Sequence, residues 1–181
     1  MEISPSINQT KDWRKSQEWY KNGKSNECEI YQRNKLQEII GKKIPKSYKR
    51  FNKEKNTFED MSKPNTRDDG FEWTEDMDGE CNYNNTQYYY NFKMVCDGGG
   101  GQTRTLREVY EFIKAQLNWL LENSQESIMF INILDGDESF KNRNKFNYLI
   151  KEYDNKKYEN IKHKVFIGDL IEFQQKYHQT N

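Results

Sequence analysis

GFEWTEDMDGECNYNNTQYYYNFKMVCDGGGGQTRTLREVYEFIKAQLNWLL, residues 70–121, is the stretch from which the fold can be read. Residues 71–77 and 87–96 are rich in aromatic and β-branched side chains, which predicts two strands joined by an Asn-rich connection. Four glycines follow, Gly98 to Gly101. After them Leu106, Val109, Tyr110, Ile113, Leu117, Leu120 and Leu121 recur at steps of three and four, one face of a long helix. Thr105 and Glu108 stand at capping-box spacing and are expected to close its first turn.

Working outward, residues 128–134 (IMFINIL) form a continuous apolar run, the pattern of a strand buried on both faces. Asp135-Gly136-Asp137 turns the chain, and residues 141–153 read as a helix with Phe146, Leu149 and Ile150 inward. KVFIG (164–168) is a short buried strand, after which Asp169 is expected to cap a last helix running to about Tyr177. Alternation of strands and helices predicts an α/β fold, an α+β sandwich with a mixed central β-sheet flanked by helices.

Upstream, residues 1–9 read as a frayed start. Thr10 is expected to cap a helix through about Lys21, with Trp13, Trp19 and Tyr20 apolar. Ser25 then caps a second helix whose face carries Cys28, Tyr31, Leu36, Ile39 and Ile40, with Gly41 closing it. Both are expected to pack on the sheet without taking part in chemistry. Residues 42–69, lysine-rich with two prolines, read as a loop or mobile basic segment. The expected organisation is thus an N-terminal part, 1–69, and a core, 70–181, within one compact domain.

Charge is distributed unevenly along a chain whose formal net charge is zero. The balance is +7 over residues 1–67, −6 over 68–108 and −1 over 109–181. A basic arm beside an acidic centre suits an enzyme of nucleic acids, with cations for phosphate and carboxylates for metal. The same arm is also what a solvated lysine-rich face looks like. Mean hydropathy is −1.22, yet aromatic residues make up 14%, which argues for a folded chain with a thin core. Cys28, Cys81 and Cys96 have neither zinc nor disulfide-framework spacing. The chain has no apolar run of membrane-spanning length and no signal peptide, so it is expected to be soluble and cytoplasmic.

Lys93 sits inside an apolar strand, where an ammonium costs desolvation unless it has a partner. Phosphodiester hydrolysis supplies one, since an ammonium can hold water and stabilise charge building on phosphorus oxygens. Upstream, Glu75, Asp76 and Asp78 offer carboxylates that could anchor Mg²⁺, a cation that prefers oxygen ligands. Downstream, Gln102 and Arg104 follow the glycines at a helix start, a place that favours anions. Lys46, Lys49 and Arg50, interleaved with Tyr48 and Phe51, could track a phosphate backbone. The Walker A pattern is absent, because no Gly-Lys-Ser/Thr follows the glycines.

A carboxylate near one strand end, a second strand ending in x-x-Lys and a helix behind it resemble the core of the PD-(D/E)xK nuclease superfamily. The run YYYNFKMVCDGGGGQTRTLREVYEFI is similar to type II restriction-endonuclease-like proteins. The resemblance implies Mg²⁺-dependent cleavage of double-stranded DNA, with Mn²⁺ a possible substitute, by a homodimer. It assigns Asp78 as the first carboxylate and Lys93 as the lysine. The position two before the lysine is acidic in that family, whereas here it is Asn91. Glu108, in the first turn of the following helix, is the expected replacement, so Asp78, Asn91 and Glu108 are the expected metal ligands. Asn91 equally fits a catalytically inactive relative that still binds DNA. A phosphate-transferring site around Asp135 and Asp137 is a further reading, since α/β proteins place ligands beyond strand ends. His163 and His178 lie in polar contexts and are expected at the surface.

Overall fold

A computed structural model describes residues 3–4, 9–61, 73–151 and 156–180. The N-terminal half comprises α1 (Thr10–Ser16), α2 (Ser25–Ile40), β1 (Lys49–Asn52), β2 (Thr57–Asp60), β3 (Thr74–Asp76), β4 (Gly79–Tyr83) and β5 (Thr86–Met94). It continues with α3 (Gly100–Glu122), β6 (Ile128–Asp135), α4 (Asp137–Lys141), α5 (Arg143–Lys151), β7 (Val165–Gly168) and α6 (Leu170–Thr180). The fold is mixed α/β, as expected. Its main sheet has the order β4-β5-β6-β7, with β4 antiparallel to β5 and the remaining pairs parallel. A parallel β5–β6 pair requires a long crossover, and α3 is that crossover.

Side chains alternate across β5, so its two faces meet different partners. Tyr89 faces Val109, Phe112, Ile113, Leu117 and Leu120 of α3 in one apolar cluster. Tyr90 and Phe92 join Tyr31 and Leu36 of α2 and Leu170 and Phe173 of α6 in the other. Leu117 and Leu120 are fully buried, each worth about 1.5–3 kcal/mol of transfer free energy. Within this packing lies a buried amide network. Asn91 Nδ2 donates to Asn132 Oδ1 at 3.1 Å, and Asn132 and Gln116 exchange hydrogen bonds at 2.8 and 3.1 Å.

The basic connector is not the loop its composition suggested. Residues 49–52 and 57–60 form strands that, with β3, make a second, antiparallel sheet of order β2-β1-β3. Its Phe51 is 1% exposed and stacks on Phe58 at 4.6 Å, and both rings meet Phe130 of the main sheet edge-on. Aromatic burial therefore holds down a segment whose lysines face outward. β1 thereby pairs across the 1–69/70–181 boundary drawn from sequence. The rest of that connector, residues 62–69, and the start of the first expected strand, 71–72, lie outside the described residues. So do residues 1–2 and 5–8 of the expected frayed start.

Other boundaries also move. β4 occupies the expected Asn-rich connection, and Asn84 and Asn85 form its turn with φ of 49° and 60°. Two successive positive-φ residues suit a tight hairpin, and asparagine tolerates that region better than most side chains. α1 ends at Ser16 rather than Lys21, and Thr10 lies within it. α3 begins at Gly100, so Thr105 is interior and its hydroxyl donates back to Gly101 O instead of capping. The helix expected over 141–153 is α5 over its described part, residues 152–153 lying outside the described residues, and a short α4 precedes it where a turn was expected. Gly41 closes α2 at φ 67°. Asp169 does cap α6: its Oδ1 accepts from Glu172 N at 2.8 Å while Glu172 Oε2 accepts from Asp169 N at 3.1 Å.

One glycine fixes how β5, β6 and α4 meet. Gly136 has φ 105°, and a Cβ there would lie 2.4 Å from Val95 O. That same carbonyl accepts from Glu138 N at 2.9 Å, so the strand end and the helix start are tied at this point. Gly136→Ala is expected to lower unfolding free energy by about 3 kcal/mol, from backbone strain plus the clash. Urea unfolding checks it; an unchanged midpoint would show that the contact yields freely.

Candidate active site

Two acids and one lysine meet near the C-terminal end of β5. Lys93 Nζ lies 3.9 Å from Asp78 Oδ2 and 4.0 Å from Glu75 Oε1. Asp78 is placed by backbone bonds on both sides of Asn91: its N–H donates to Tyr90 O at 2.8 Å, and its Oδ2 accepts from Phe92 N at 2.6 Å. Arg33 of α2 adds a bond from Nη2 to Asp78 O at 2.6 Å and another to Glu29 at 2.7 Å. Gln32, also on α2, donates to Lys93 O at 3.1 Å. Thus α2, beyond packing, is hydrogen-bonded to the main chain at both Asp78 and Lys93.

Burial pushes the Asp78 carboxyl above its usual range, while Lys93 and the Phe92 N–H pull it back. Burial likewise raises Glu75, with Lys93 opposing and Asp78 and Glu108 adding repulsion. Two strained carboxylates share one ammonium. The side chains of Lys93, Asp78 and Glu75 are 28%, 16% and 35% exposed, so all three remain reachable.

The neighbouring cleft, of about 340 Å³, is lined by Lys93, Gln102, Thr105, Glu29, Lys24 and Arg14 among others. Gln102 thus lines the same cleft as Lys93. Arg14 lies over Tyr20 at 4.9 Å and bonds Asp97 at 3.2 Å, bringing a cation that sequence reasoning had not singled out. Asp97 also pairs with Lys11.

The remaining expected site residues are arranged differently. Glu108 is exposed and accepts from Arg104 Nε at 2.8 Å, an i,i+4 pair on α3. Neither side chain is drawn toward Lys93, although Glu108 is near enough to repel Glu75. Asn91 is fully buried with its amide nitrogen committed to Asn132, while its Oδ1 has no hydrogen-bond partner. Lys49 pairs with Asp60 at 2.8 Å and Arg50 with Asp76 at 3.1 Å, so these cations are partly neutralised, and Phe51 belongs to the core. Lys46 and Tyr48 are exposed.

Among the described residues no group of three or more His, Cys, Asp or Glu side chains is arranged to hold a metal ion. Mg²⁺, however, commonly takes only one or two carboxylates and completes its shell with water and substrate phosphate. Asp78 and Glu75 fit that use, because a divalent cation would relieve the unfavourable burial of both carboxylates. The partnerless Asn91 Oδ1 supplies a neutral oxygen on the same face of β5 as Lys93.

Asp135 and Asp137 are not presented to a substrate. Asp135 is 1% exposed and accepts from Ser4 Oγ at 2.9 Å and Gln32 Nε2 at 2.6 Å; Asp137 accepts from Lys11 N at 2.9 Å. His163 is exposed, and the side chain of His178 lies outside the described residues. Comparison of the chain with protein-family models, curated proteins and solved structures found no match. Among the described residues no helix is long and apolar enough to cross a membrane.

Proposed function

We propose that this protein is a Mg²⁺-dependent endonuclease hydrolysing phosphodiester bonds of double-stranded DNA, acting in the cytoplasm as a homodimer. The observation that carries the reading is the Lys93 ammonium within 4.0 Å of two half-buried carboxylates, at the wall of a polar cleft. Asp78 and Glu75 would hold the metal, with Asn91 Oδ1 as a neutral donor; this exchanges Glu108 for Glu75 in the ligand set expected from sequence. Bound Mg²⁺ would supply Lewis-acid stabilisation of charge on the scissile phosphate. Lys93 would orient the attacking water and take up negative charge as it develops on the phosphate oxygens. Gln102, which lines the same cleft, would donate its amide to a phosphate oxygen, and Arg14 and Lys24 would add positive potential there.

The test is cleavage of supercoiled plasmid and linear duplex with Mg²⁺, Mn²⁺ or EDTA, with Asp78→Ala alongside. Nicked or linear products with either metal, abolished by EDTA and by Asp78→Ala, are expected. DNA that is bound but left intact, with affinity indifferent to metal, would instead identify a non-catalytic DNA-binding protein.

A further inference from the structure

On the face of the main sheet covered by α2 and α6, toward the β4–β5 turn, lies a pocket of about 320 Å³. Register explains its floor. Cys81 pairs with Tyr88 and Tyr88 with Met129, while Tyr90 pairs with Ile131 and Ile131 with Phe166, so side chains from all four strands present one continuous aromatic and aliphatic surface. The walls are the end of α2 and the second half of α6. α2 stops at Gly41, before it can cover the turn end of β5, and Phe173 and Tyr177 of α6 close the other side. Tyr177 Oη reaches Ile40 O at 3.4 Å across the gap between the helices.

Among the described residues, the charged ones lining it are Lys42 and Lys176. Lys42 Nζ stands 4.3 Å over the Tyr83 ring and Lys176 Nζ 5.6 Å over the Phe166 ring. Two ammonium groups held over aromatic faces at the mouth of an apolar pocket favour an anion there, while the floor favours a flat ring. A concave, mostly apolar pocket with a few placed polar groups is the usual form of a small-molecule site, and this volume is at the small end of that range.

We infer that this pocket binds a small planar aromatic ligand carrying one anionic group, its ring on the Tyr88–Tyr90–Met129 floor and its charge between Lys42 and Lys176. The site is separate from the cleft at Lys93: the two share no lining residue, and the pocket lies toward the β4–β5 turn whereas Lys93 stands near the other end of β5. It therefore does not depend on the nuclease reading.

The probe is 8-anilinonaphthalene-1-sulfonate, an aromatic anion whose fluorescence rises on burial, titrated into the folded full chain beside its uncharged relative N-phenyl-1-naphthylamine. One saturable site is expected, weakened roughly tenfold or more by Lys42→Glu with Lys176→Glu. The uncharged probe should bind the parent and the double variant alike. Circular dichroism melting of the double variant establishes that it is folded. Cys81 gives a second readout, because it is partly exposed in the pocket while Cys28 and Cys96 are buried. Saturating sulfonate probe should slow N-ethylmaleimide labelling of Cys81. The inference is overturned by the absence of a saturable site, by equal weakening of both probes, by unprotected Cys81, or by displacement of the probe by short duplex DNA.

Discussion

On the proposed nuclease reading, Lys93→Met is expected to cut duplex DNA about 10²–10³-fold more slowly than the parent in Mg²⁺, the cost of removing one preorganised charge at the reacting phosphate. Methionine keeps the aliphatic stem and removes only the ammonium, so the packing around β5 is retained. The same change leaves Asp78 and Glu75 without the cation that holds both carboxyls down. Their folded-state pKa values then rise further, and a raised carboxyl pKa means stability that is present at low pH and lost as pH rises. The variant is therefore expected to melt near the parent at pH 4 and below it at pH 8. Lys93→Arg separates the two roles. It restores a cation for the carboxylates, and with it the melting temperature at pH 8, but a planar guanidinium cannot reproduce the point charge and reach of the ammonium. Cleavage should remain impaired. If Lys93→Met changes melting and leaves the cleavage rate unchanged, the lysine is an ion-pair partner and nothing more.

The elements legible in sequence were those whose signal is long. Over 23 residues of α3 the three-to-four step is repeated often enough to define a face, and the apolar run of β6 is unbroken. The short strands gave no comparable signal. In β1, KRFN has one apolar side chain that matters, Phe51, and what makes it a strand is the aromatic cluster contributed by Phe58 and Phe130. In β4, GECNY is polar on its open edge and takes its register from β5.

The site divided along the same line. Asp78 and Lys93, singled out from residue type and spacing, do come within 3.9 Å of each other. Glu75 was not separable from its acidic neighbours, because its position depends on β3 pairing with β1, where it stands opposite Phe51. Glu108 is engaged locally, by a contact visible in sequence: Arg104 stands four residues earlier, at the i,i+4 spacing of helix ion pairs. Asn91 could not have been placed from sequence, since Gln116 and Asn132, which fix its amide, reach it only in the folded chain.

Asp135→Asn is the second large effect, and its sign depends on pH. Burial drives the Asp135 carboxyl from 3.8 up to about 7, with neighbouring Asp169 adding repulsion and hydrogen bonds from Gln32, Ser4 and Leu170 N only partly opposing. The folded state therefore holds this proton more tightly than the unfolded chain does. Its contribution to stability is fully present below the unfolded pKa and is lost as pH climbs to about 7, a change on the order of 4 kcal/mol. Asparagine has the same shape and never ionises. It can accept from Gln32 Nε2 with its oxygen and donate to the Ser4 hydroxyl with its nitrogen, giving up only the long 3.4 Å bond from Leu170 N. The variant should unfold close to the parent at pH 4 and at distinctly higher urea concentration at pH 8. The difference should open between those values and level off above pH 7. Because Gln32 also bonds Lys93 O, cleavage at pH 8 should survive the substitution if the Gln32 amide stays in place. A parent and variant whose stabilities run parallel from pH 4 to pH 8 would mean that Asp135 ionises in the folded protein as readily as in water, through a relaxation that admits solvent to the end of β6.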